Sequence, residues 1–381
     1  MATTSRAKVA RFVSCFIHEG EIKELSPITQ GHINETWLST VDVQGRLVQF
    51  VHQRINPAVF PDGLLVLENI ERITHHLRNS GSYHYDVLEL LEVKQQKDSE
   101  GSNFQTSSFG RYWKRDEEGA IWRTYRFIEG AVAHNVCPTP ECAFEGGRAF
   151  GSFLRGLTNL SATSLHLSLP GFQNIAGRLS ALGVAEKDAP KDRMKDAAEE
   201  LSYAHQSSER ASSLSFLLTN PARLRITHGD TKLNNVLFDR ESGVARCVID
   251  LDTVMPGSPL YDYGDFARQI GVRCSEDEIL EEVPQIQWDF LRAGTQGFLA
   301  GVGTQYFSED EFKALGKMPW LISFTLGVRF LTDYLSGDRY FRISYEGHNL
   351  VRARCQFAIA SAYLEGQEEL SDLIEGVVPI P

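Results

Sequence analysis

One short segment, "ITHGDTKLNNVLFD" at residues 226–239, places polar residues between two apolar ends that predict short strands. Asp230 is followed five residues later by Asn235, and Lys232 lies between them. Metal-assisted phosphoryl transfer needs a carboxylate to orient a hydroxyl, an oxygen ligand for Mg²⁺ and a cation for phosphate. The segment supplies all three, although a surface β-hairpin is the competing interpretation because Asn, Asp and Gly are common in turns.

The next segment supports the phosphoryl-transfer interpretation. "ARCVIDLD" is mostly apolar up to Asp250, and "DRESG" before it predicts the turn of a hairpin. This hairpin brings Asp250 beside Asn235, where carboxylate and amide oxygens form a magnesium site. Asp252 is a further candidate ligand or supporting group. We expect His228 to hold the loop through hydrogen bonds, as a buried core histidine would.

Composition predicts a folded protein with two domains or one two-lobed unit. The chain has 381 residues, 42% of them hydrophobic, and a formal net charge of −12, which disfavours nucleic-acid partners. Six scattered cysteines without a CxxC pair indicate neither a zinc site nor a disulfide framework. No apolar window reaches the roughly 18 residues of a membrane span. We therefore expect a cytoplasmic protein without a membrane partner.

The pattern of apolar residues changes near residue 130. Residues 25–130 read as strands with one inserted helix, which carries Leu64, Leu67, Ile70, Ile73 and Leu77 at helical spacing. Four later segments, which begin at residues 139, 196, 277 and 319, have apolar residues three and four apart and predict helices. The sequence predicts an α+β protein with a small lobe at 1–130 and a mainly helical lobe at 131–381.

"HGDTKLNN" followed by "VIDLDTVMPGSPLYDYGDFAR" resembles the aminoglycoside phosphotransferase and choline kinase-like group, which has a two-lobed protein-kinase-like fold. "GHINETWL", "HQRINPAVFPD", "LENIERITHHLR", "WRTYRFIEG" and "GVRFLTDYLSGDRYF" are together similar to bacterial N-acetylhexosamine 1-kinases. The resemblance spans roughly residues 28–360. It implies an enzyme that uses ATP and Mg²⁺, with 1–130 as the nucleotide-binding lobe and 131–381 as the catalytic and substrate lobe.

The resemblance implies nucleotide contacts in the small lobe. Gly31 is expected to let backbone amides approach phosphate oxygens, with the hairpin tip held by Asn34, although an ordinary turn would look the same. Kinase-like folds need a cation on the third strand, and Arg54 is the candidate, since "LVQFVHQRIN" has no lysine. Its helix partner is Glu68 or, slightly favoured, Glu71; an exposed surface arginine is the alternative.

Further roles follow from the same resemblance. Adenine is expected to bond the backbone around Ile128, in the hinge at residues 127–130. Asp262 and Asp265 are downstream acids, and Asp265 is expected to brace the loop or to cap a helix. The candidate sugar-binding residues come from both lobes: His32, Asn34, Arg329, Asp333 and Tyr334. Arg329 and Asp333 lie four apart, which is also the spacing of a surface ion pair.

The predicted activity is the phosphorylation of the anomeric hydroxyl of an N-acetylhexosamine, GlcNAc or GalNAc. An anomeric hydroxyl is more acidic than an ordinary alcohol, so Asp230 needs only modest basicity. A kinase of the same fold for choline, homoserine or an aminoglycoside is the alternative enzyme. A catalytically silent nucleotide-binding module and a binding scaffold without nucleotide are the alternatives outside catalysis.

Overall fold

The computed structural model describes residues 5–17, 19–28, 33–94, 111–272, 274, 278–280, 282–303 and 305–377. The chain divides into two compact units. Unit 1 comprises Met1–Arg78 and Val87–Gly130, and unit 2 comprises Asn79–Asp86 and Ala131–Pro381. No helix among the described residues is long and apolar enough to span a membrane.

Unit 1 is built on a five-stranded antiparallel sheet with the strand order β1-β2-β3-β5-β4. Its strands are β1 (Glu21–Ile28), β2 (Glu35–Val43), β3 (Arg46–Arg54), β4 (Lys114–Arg115) and β5 (Ile121–Arg126), and its helices are α1 (Arg6–Phe16) and α2 (Gly63–Asn79). The predicted hairpin around Gly45 is confirmed. Gln44 and Gly45 both have positive φ, as a tight turn between β2 and β3 requires, and Gly45 N donates to Asp42 Oδ1 at 2.7 Å.

One face of this sheet is covered by α1. The helix buries Val9, Val13 and Phe16 in a core that includes Phe50 of β3 and Trp122 of β5. Because side chains alternate along a strand, this face also carries the residues of β3 and β5 with even numbers.

The other face of the sheet packs against α2. A Cβ added at Gly63, the first residue of α2, would lie 3.3 Å from the side chains of Ile55 and Ile121. Ile55 follows β3, and its amide donates to the carbonyl of Ile121. Residues of β3 and β5 with odd numbers therefore share the α2 face.

Arg54 lies on the α1 face, which corrects the predicted ion pair with Glu71 or Glu68. Arg54 Nε bonds Asp116 Oδ2 at 2.6 Å, and its Nη2 bonds Glu118 at 2.8 Å. Burial raises the pKa of Asp116, but the hydrogen bonds from Arg54 and Trp122 bring that pKa below its ordinary value. The predicted partners fail because α2 packs on the opposite face from Arg54.

Unit 2 is mainly helical. Its helices are α3 (Pro140–Gly156), α4 (Ile175–Asp188), α5 (Lys191–Asp196), α6 (Ala198–Thr219), α7 (Pro259–Gly271), α8 (Trp288–Val302), α9 (Glu309–Ala314), α10 (Met318–Leu335), α11 (His348–Glu365) and α12 (Gln367–Gly376). Helices α3 and α8 pack closely through glycines. A Cβ at Gly147 of α3 would overlap the carbonyl oxygen of Gly294, and one at Gly297 of α8 would overlap that of Phe144. This close contact fixes α3, whose Phe150 and Phe153 lie against the candidate site.

Two short sheets complete unit 2. Strand β7 (Arg225–Thr227) pairs with β10 (Met255–Gly257), and β6 (Ala131–Val132), β8 (Val236–Asp239) and β9 (Ala245–Val248) form a three-stranded sheet in the order β6-β8-β9. The hairpin β8–β9 is the one predicted from the sequence. Its turn is held by Asp239 Oδ1, which accepts from the amides of Glu241 and Ser242.

Two predicted elements differ in the structure. Residues 85–94, expected as a strand, make only isolated bridges, among them Leu90 with Tyr125, because their hydrogen bonds do not continue as a regular ladder. The helix expected from residue 277 begins at Trp288. Pro284 explains the late start, since proline lacks the amide hydrogen that a helix interior needs.

The buried His52 gives unit 1 a testable pH dependence. Its ring nitrogens bond Ser39 Oγ and Thr124 Oγ1, each at 2.8 Å, and burial lowers its pKa to about 3. Because the folded-state pKa lies below the unfolded value near 6.5, the stability from His52 is complete above about pH 6.5 and falls as pH drops towards 3. Between pH 7 and pH 5, wild type should lose about 2 kcal/mol more free energy of unfolding than His52→Gln. Urea titrations at both pH values measure this difference, and equal losses in the two proteins would contradict it.

Candidate functional site

The polar loop at residues 228–235 connects β7 to β8 within unit 2. Its first residues are held by the carboxylate of Asp262, in the first turn of α7. Asp262 Oδ2 accepts from the amide of His228 at 2.7 Å, and Oδ1 accepts from that of Gly229 at 2.8 Å. Thr231 Oγ1 donates to the carbonyl of Asp262 at 2.6 Å. The start of the loop is thus tied to one buried turn of helix.

Asp262 is fully buried, and burial raises the pKa of its carboxyl to about 7. The two backbone amides act in the opposite direction, because they favour the charged form. Both carboxylate oxygens have an amide donor, so the charged side chain suits this position better than a carboxamide would. Asp262 was predicted only as a downstream acid. Its place just after Ser258 and Pro259, at the start of a helix, was the available signal.

His228 is a second fixed point of the loop. One ring nitrogen, Nε2, donates to the carbonyl of Ile249 at 2.9 Å, which leaves Nδ1 to accept from the amide of Asp230 at 3.3 Å. The ring edges lie against Phe150 and Phe153, with centroids 5.4 and 5.7 Å away. Burial lowers the pKa of His228, so the imidazole is neutral and its role is to hold the loop.

The structure brings Asp230, Lys232 and Asn235 together. Lys232 Nζ lies 3.6 Å from Asp230 Oδ1. Asn235 Nδ2 donates to the carbonyl of Asp230 at 2.8 Å and to its Oδ2 at 3.1 Å. The side chains of Asp230 and Lys232 are each 26% exposed, so a ligand can reach both.

Asp250 lies just beyond the paired residues of strands β8 and β9. The amide of Ile249 donates to the carbonyl of Asn235 at 2.9 Å, which extends the β8–β9 pairing by one residue. Asp250 then turns into the left-handed region, with φ 59° and ψ 60°. A non-glycine residue with this conformation is uncommon and is concentrated at functional sites. Strand β9 ends at Val248, so Asp252 lies in a 3₁₀ turn and not on the same strand face as Asp250.

These residues fit a hard divalent cation. Since Nδ2 of Asn235 faces Asp230, its Oδ1 is directed elsewhere and can act as a neutral oxygen ligand. Carboxylate oxygens from Asp250 and an amide oxygen from Asn235 are the ligand types that Mg²⁺ prefers. Among the described residues no group of three or more His, Cys, Asp and Glu is arranged for a metal.

Asp265 does not cap a helix, which corrects one of its two predicted roles. It lies inside α7 and bonds Arg268 Nε through Oδ1 at 2.8 Å. Gln269 of α7 also braces the loop at residues 228–235, since its Oε1 accepts from the amide of Leu233 at 3.0 Å. Gln269 was not among the predicted residues, because no pattern in the spacing of charged residues marks it.

The predicted sugar-binding residues of α10 do not act together. Asp333 is buried and accepts hydrogen bonds from the turn that follows the helix: the amides of Arg339, Tyr340 and Phe341, and the side chain of Asn349. Tyr334 is buried beneath the guanidinium of Arg193. The four-residue spacing of Arg329 and Asp333 therefore reflects neither a shared ligand site nor a surface ion pair.

Arg329 has a different environment. Its guanidinium lies over the rings of Phe172 and Phe341, 5.7 and 5.3 Å from their centroids. Arg178 of α4 is close enough for the charge of Arg329 to add to burial in lowering the Arg178 pKa. Tyr261, in van der Waals range of Phe172, is buried near both Arg329 and Asp230. Arg178 and Tyr261 were not among the predicted residues, because they are distant from Arg329 in the sequence.

The remaining predicted residues belong to unit 1. Gly31 and His32 lie outside the described residues. Asn34 Oδ1 accepts from the amide of Asn56 at 3.0 Å, which ties the start of β2 to the segment after β3, while the hairpin tip that Asn34 was predicted to hold lies outside the described residues. Glu71 is half-buried, and burial raises its pKa. Ile128 is half-buried and follows Phe127, whose amide donates to the carbonyl of Gln49.

The chain is similar to a family of known enzymes and to several solved structures. Residues 24–293 match the sequence pattern of a phosphotransferase enzyme family, APH. A spectinomycin phosphotransferase solved with ADP and spectinomycin is 13% identical, with a TM-score of 0.54 over 97% of this chain and 98% of that one. A choline kinase from Cryptosporidium parvum is 15% identical, with a TM-score of 0.51 over 93% and 91%. A putative aminoglycoside phosphotransferase from Ralstonia eutropha is 13% identical, with a TM-score of 0.53 over 96% and 98%. These similarities confirm the predicted kinase-like α+β fold.

Gly229 offers a direct test of the loop conformation. It has φ +80°, and an added Cβ would lie 3.0 Å from the carbonyl oxygen of Thr253. Gly229→Ala should therefore lower the free energy of unfolding by about 1–3 kcal/mol. By displacing Asp230, it should also lower phosphoryl-transfer kcat by about 100-fold. Urea titration and steady-state kinetics measure the two effects.

Gly243 provides the matched control. It also has a left-handed φ, +71°, but nothing lies within 4 Å of an added Cβ. Gly243→Ala should cost only about 1–2 kcal/mol of backbone strain and leave kcat unchanged. If both variants retained full activity, the conformation at Gly229 would not be needed to position Asp230.

Proposed function

Because the chain belongs to the phosphotransferase enzyme family, we propose that it is an ATP-dependent kinase that phosphorylates the anomeric hydroxyl of an N-acetylhexosamine. The products would be ADP and the sugar 1-phosphate of GlcNAc or GalNAc. The observation that carries the proposal is the arrangement of Asp230, Lys232 and Asn235 on one braced loop. Phosphoryl transfer depends mainly on positioning and on charge stabilisation, which such a loop supplies.

Asp230 is the residue that would receive the acceptor hydroxyl. Asn235 Nδ2 bonds Asp230 Oδ2 and Lys232 lies 3.6 Å from Oδ1, so both oxygens are oriented by neighbouring side chains. Asp230 is therefore held in place to accept a hydrogen bond from the acceptor. An anomeric hydroxyl is more acidic than an ordinary alcohol, so a carboxylate is a sufficient base for it.

Lys232 and the metal ligands would act on the phosphates. Lys232 provides a positive charge beside Asp230, where charge develops on the transferred phosphoryl group. Asn235 Oδ1 and the carboxylate of Asp250 would hold Mg²⁺. When bound, this ion neutralises phosphate charge and orients the phosphate tail. His228, Asp262 and Gln269 would not touch the substrates, but would keep the loop in place.

Two arginines near Tyr261 bear on which acceptor the site would bind. Arg178 and Arg329 are close to each other, and among the described residues neither guanidinium is paired with a carboxylate. The two guanidiniums disfavour choline and aminoglycosides, because like charges repel the ammonium groups of these acceptors. They favour a neutral acceptor with several oxygens, because each guanidinium donates up to five hydrogen bonds.

The aromatic residues agree with a sugar. Phe172 stacks under Arg329 and lies 5.5 Å from Tyr261, which leaves an apolar ring surface next to the guanidiniums. Sugar rings and the methyl group of an acetamide pack on such surfaces, while Arg178 and Arg329 would bond the hydroxyl and carbonyl oxygens. This surface supports an N-acetylhexosamine over homoserine, which has no apolar ring face.

An acceptor screen tests this proposal. The purified protein is incubated with ATP, Mg²⁺ and one acceptor at a time, and phosphorus NMR identifies the product. GlcNAc or GalNAc should give a 1-phosphate, with little turnover of choline, homoserine and aminoglycosides. Asp230→Asn should lower kcat by about 10²–10⁴-fold. Glu241→Gln, a charge removal in the exposed β8–β9 turn, is the matched control and should be fully active.

Three results would contradict the proposal in different ways. Preferred turnover of choline, homoserine or an aminoglycoside would move the protein to another acceptor class. Thermal stabilisation by ATP without turnover of any acceptor would favour a silent nucleotide-binding module. Full activity of Asp230→Asn would remove Asp230 from the mechanism.

A further inference from the structure

The sheet of unit 1 has one face that a nucleotide can use. The α1 face is filled by a hydrophobic core that includes Phe16, Phe50 and Trp122. Arg54, at the end of β3 on this face, is already paired with the buried Asp116. A phosphate-binding cation is therefore expected on the α2 face.

The α2 face of the central strands carries a single basic side chain. On β2, β3 and β5, all of whose residues the structure describes, Arg123 of β5 is the one Lys or Arg with the parity of this face. Directly across from it on β3 is Gln53, at the position next to Arg54. The cation expected on β3 is thus replaced there by a neutral carboxamide, and the charge comes from the neighbouring strand.

Arg123 is held in a defined orientation. Its side chain is 1% exposed, and arginine is among the residues that are least often fully buried. Its Nε and Nη2 both donate to Gln53 Oε1, at 3.1 and 2.8 Å. The guanidinium lies 5.2 Å from the centroid of the Tyr125 ring. A guanidinium fixed by a two-donor contact and an aromatic ring is preorganised to bind a planar or tetrahedral oxyanion.

Gln53 can give way to a ligand. It is half-buried, whereas Arg123 is buried, and its Nε2 makes only a long contact of 3.3 Å with Thr36 Oγ1. A phosphate oxygen forms charge-assisted hydrogen bonds with a guanidinium that are about twice as strong as those of a neutral carboxamide. An anionic ligand can therefore replace Gln53 Oε1 at the two donors of Arg123.

We propose that Arg123, and not Arg54, is the residue of unit 1 that binds the phosphate tail of the nucleotide, with Gln53 occupying its donors in the absence of ligand. This inference rests on the proposed use of ATP. It assigns the nucleotide to the α2 face of the sheet, and it makes Arg54 a structural residue.

Calorimetric titration with two probes tests the assignment. ADP with Mg²⁺ carries the phosphates, and adenosine lacks them. Arg123→Met should weaken ADP binding by about 10- to 100-fold, as expected for losing charged hydrogen bonds, and leave adenosine binding within about twofold of wild type. Arg126→Met is the matched control: Arg126 lies on the same strand but on the opposite face, where it pairs with Glu89 at the surface and lies 6.0 Å from the centroid of the Phe50 ring. Its ADP affinity should equal that of wild type.

A second variant separates charge from folding. Moving the charge back to β3 in the double variant Gln53→Lys with Arg123→Met should restore ADP affinity to within about tenfold of wild type. Circular dichroism verifies that each variant is folded. Unchanged ADP binding by Arg123→Met, or equal losses of ADP and adenosine binding without rescue by Gln53→Lys, would overturn the assignment alone. A wild-type protein that binds neither probe would overturn the proposed use of ATP itself.

Discussion

The carboxylate of Asp262 accepts hydrogen bonds from two consecutive backbone amides, those of His228 and Gly229, and the rest of the site depends on this contact. Two adjacent amides can point at one carboxylate only when the chain turns sharply between them, and Gly229 permits this with its positive φ. Asp230 then leaves the turn with a fixed direction, and Asn235 bonds it from the far end of the loop. The position of the Asp230 carboxylate therefore depends on Asp262, a residue of helix α7.

Burial affects the hydrogen bonds and the charge of this contact in opposite ways. Asp262 and His228 are both buried, and in the protein interior hydrogen bonds are stronger than in water but an unpaired charge is more destabilising. The close glycine-mediated packing of α3 against α8 supplies this shielding, since α3 carries the two phenylalanines that enclose the His228 ring. The polar loop thus packs directly on the hydrophobic core of unit 2, and a change in the packing of α3 against α8 would shift the position of Asp230.

Much of the site could be predicted because its residues are close in sequence. The spacing of Asp230, Asn235 and Asp250 fits one loop and one hairpin, and the structure has both. Arg54 was predicted with the wrong partners because strand alternation fixes which residues share a face, but not which face a helix covers. Asp333 was misassigned for a related reason: helical spacing places it near Arg329, while the turn beyond the helix takes its hydrogen bonds. Contacts between residues distant in sequence, such as those of Arg178 and Gln269, leave no local pattern to read.

The most direct test of the central contact is amide hydrogen exchange at His228 and Gly229, compared between wild type and Asp262→Asn. A carboxamide has one acceptor oxygen and would turn its NH₂ group towards the second amide, so at least one of the two bonds is lost. Exchange at these amides should become about ten- to 100-fold faster in the variant, while the amides of α10 keep their wild-type rates. Unchanged protection at both amides in Asp262→Asn, with the fold intact, would show that Asp262 does not hold the loop.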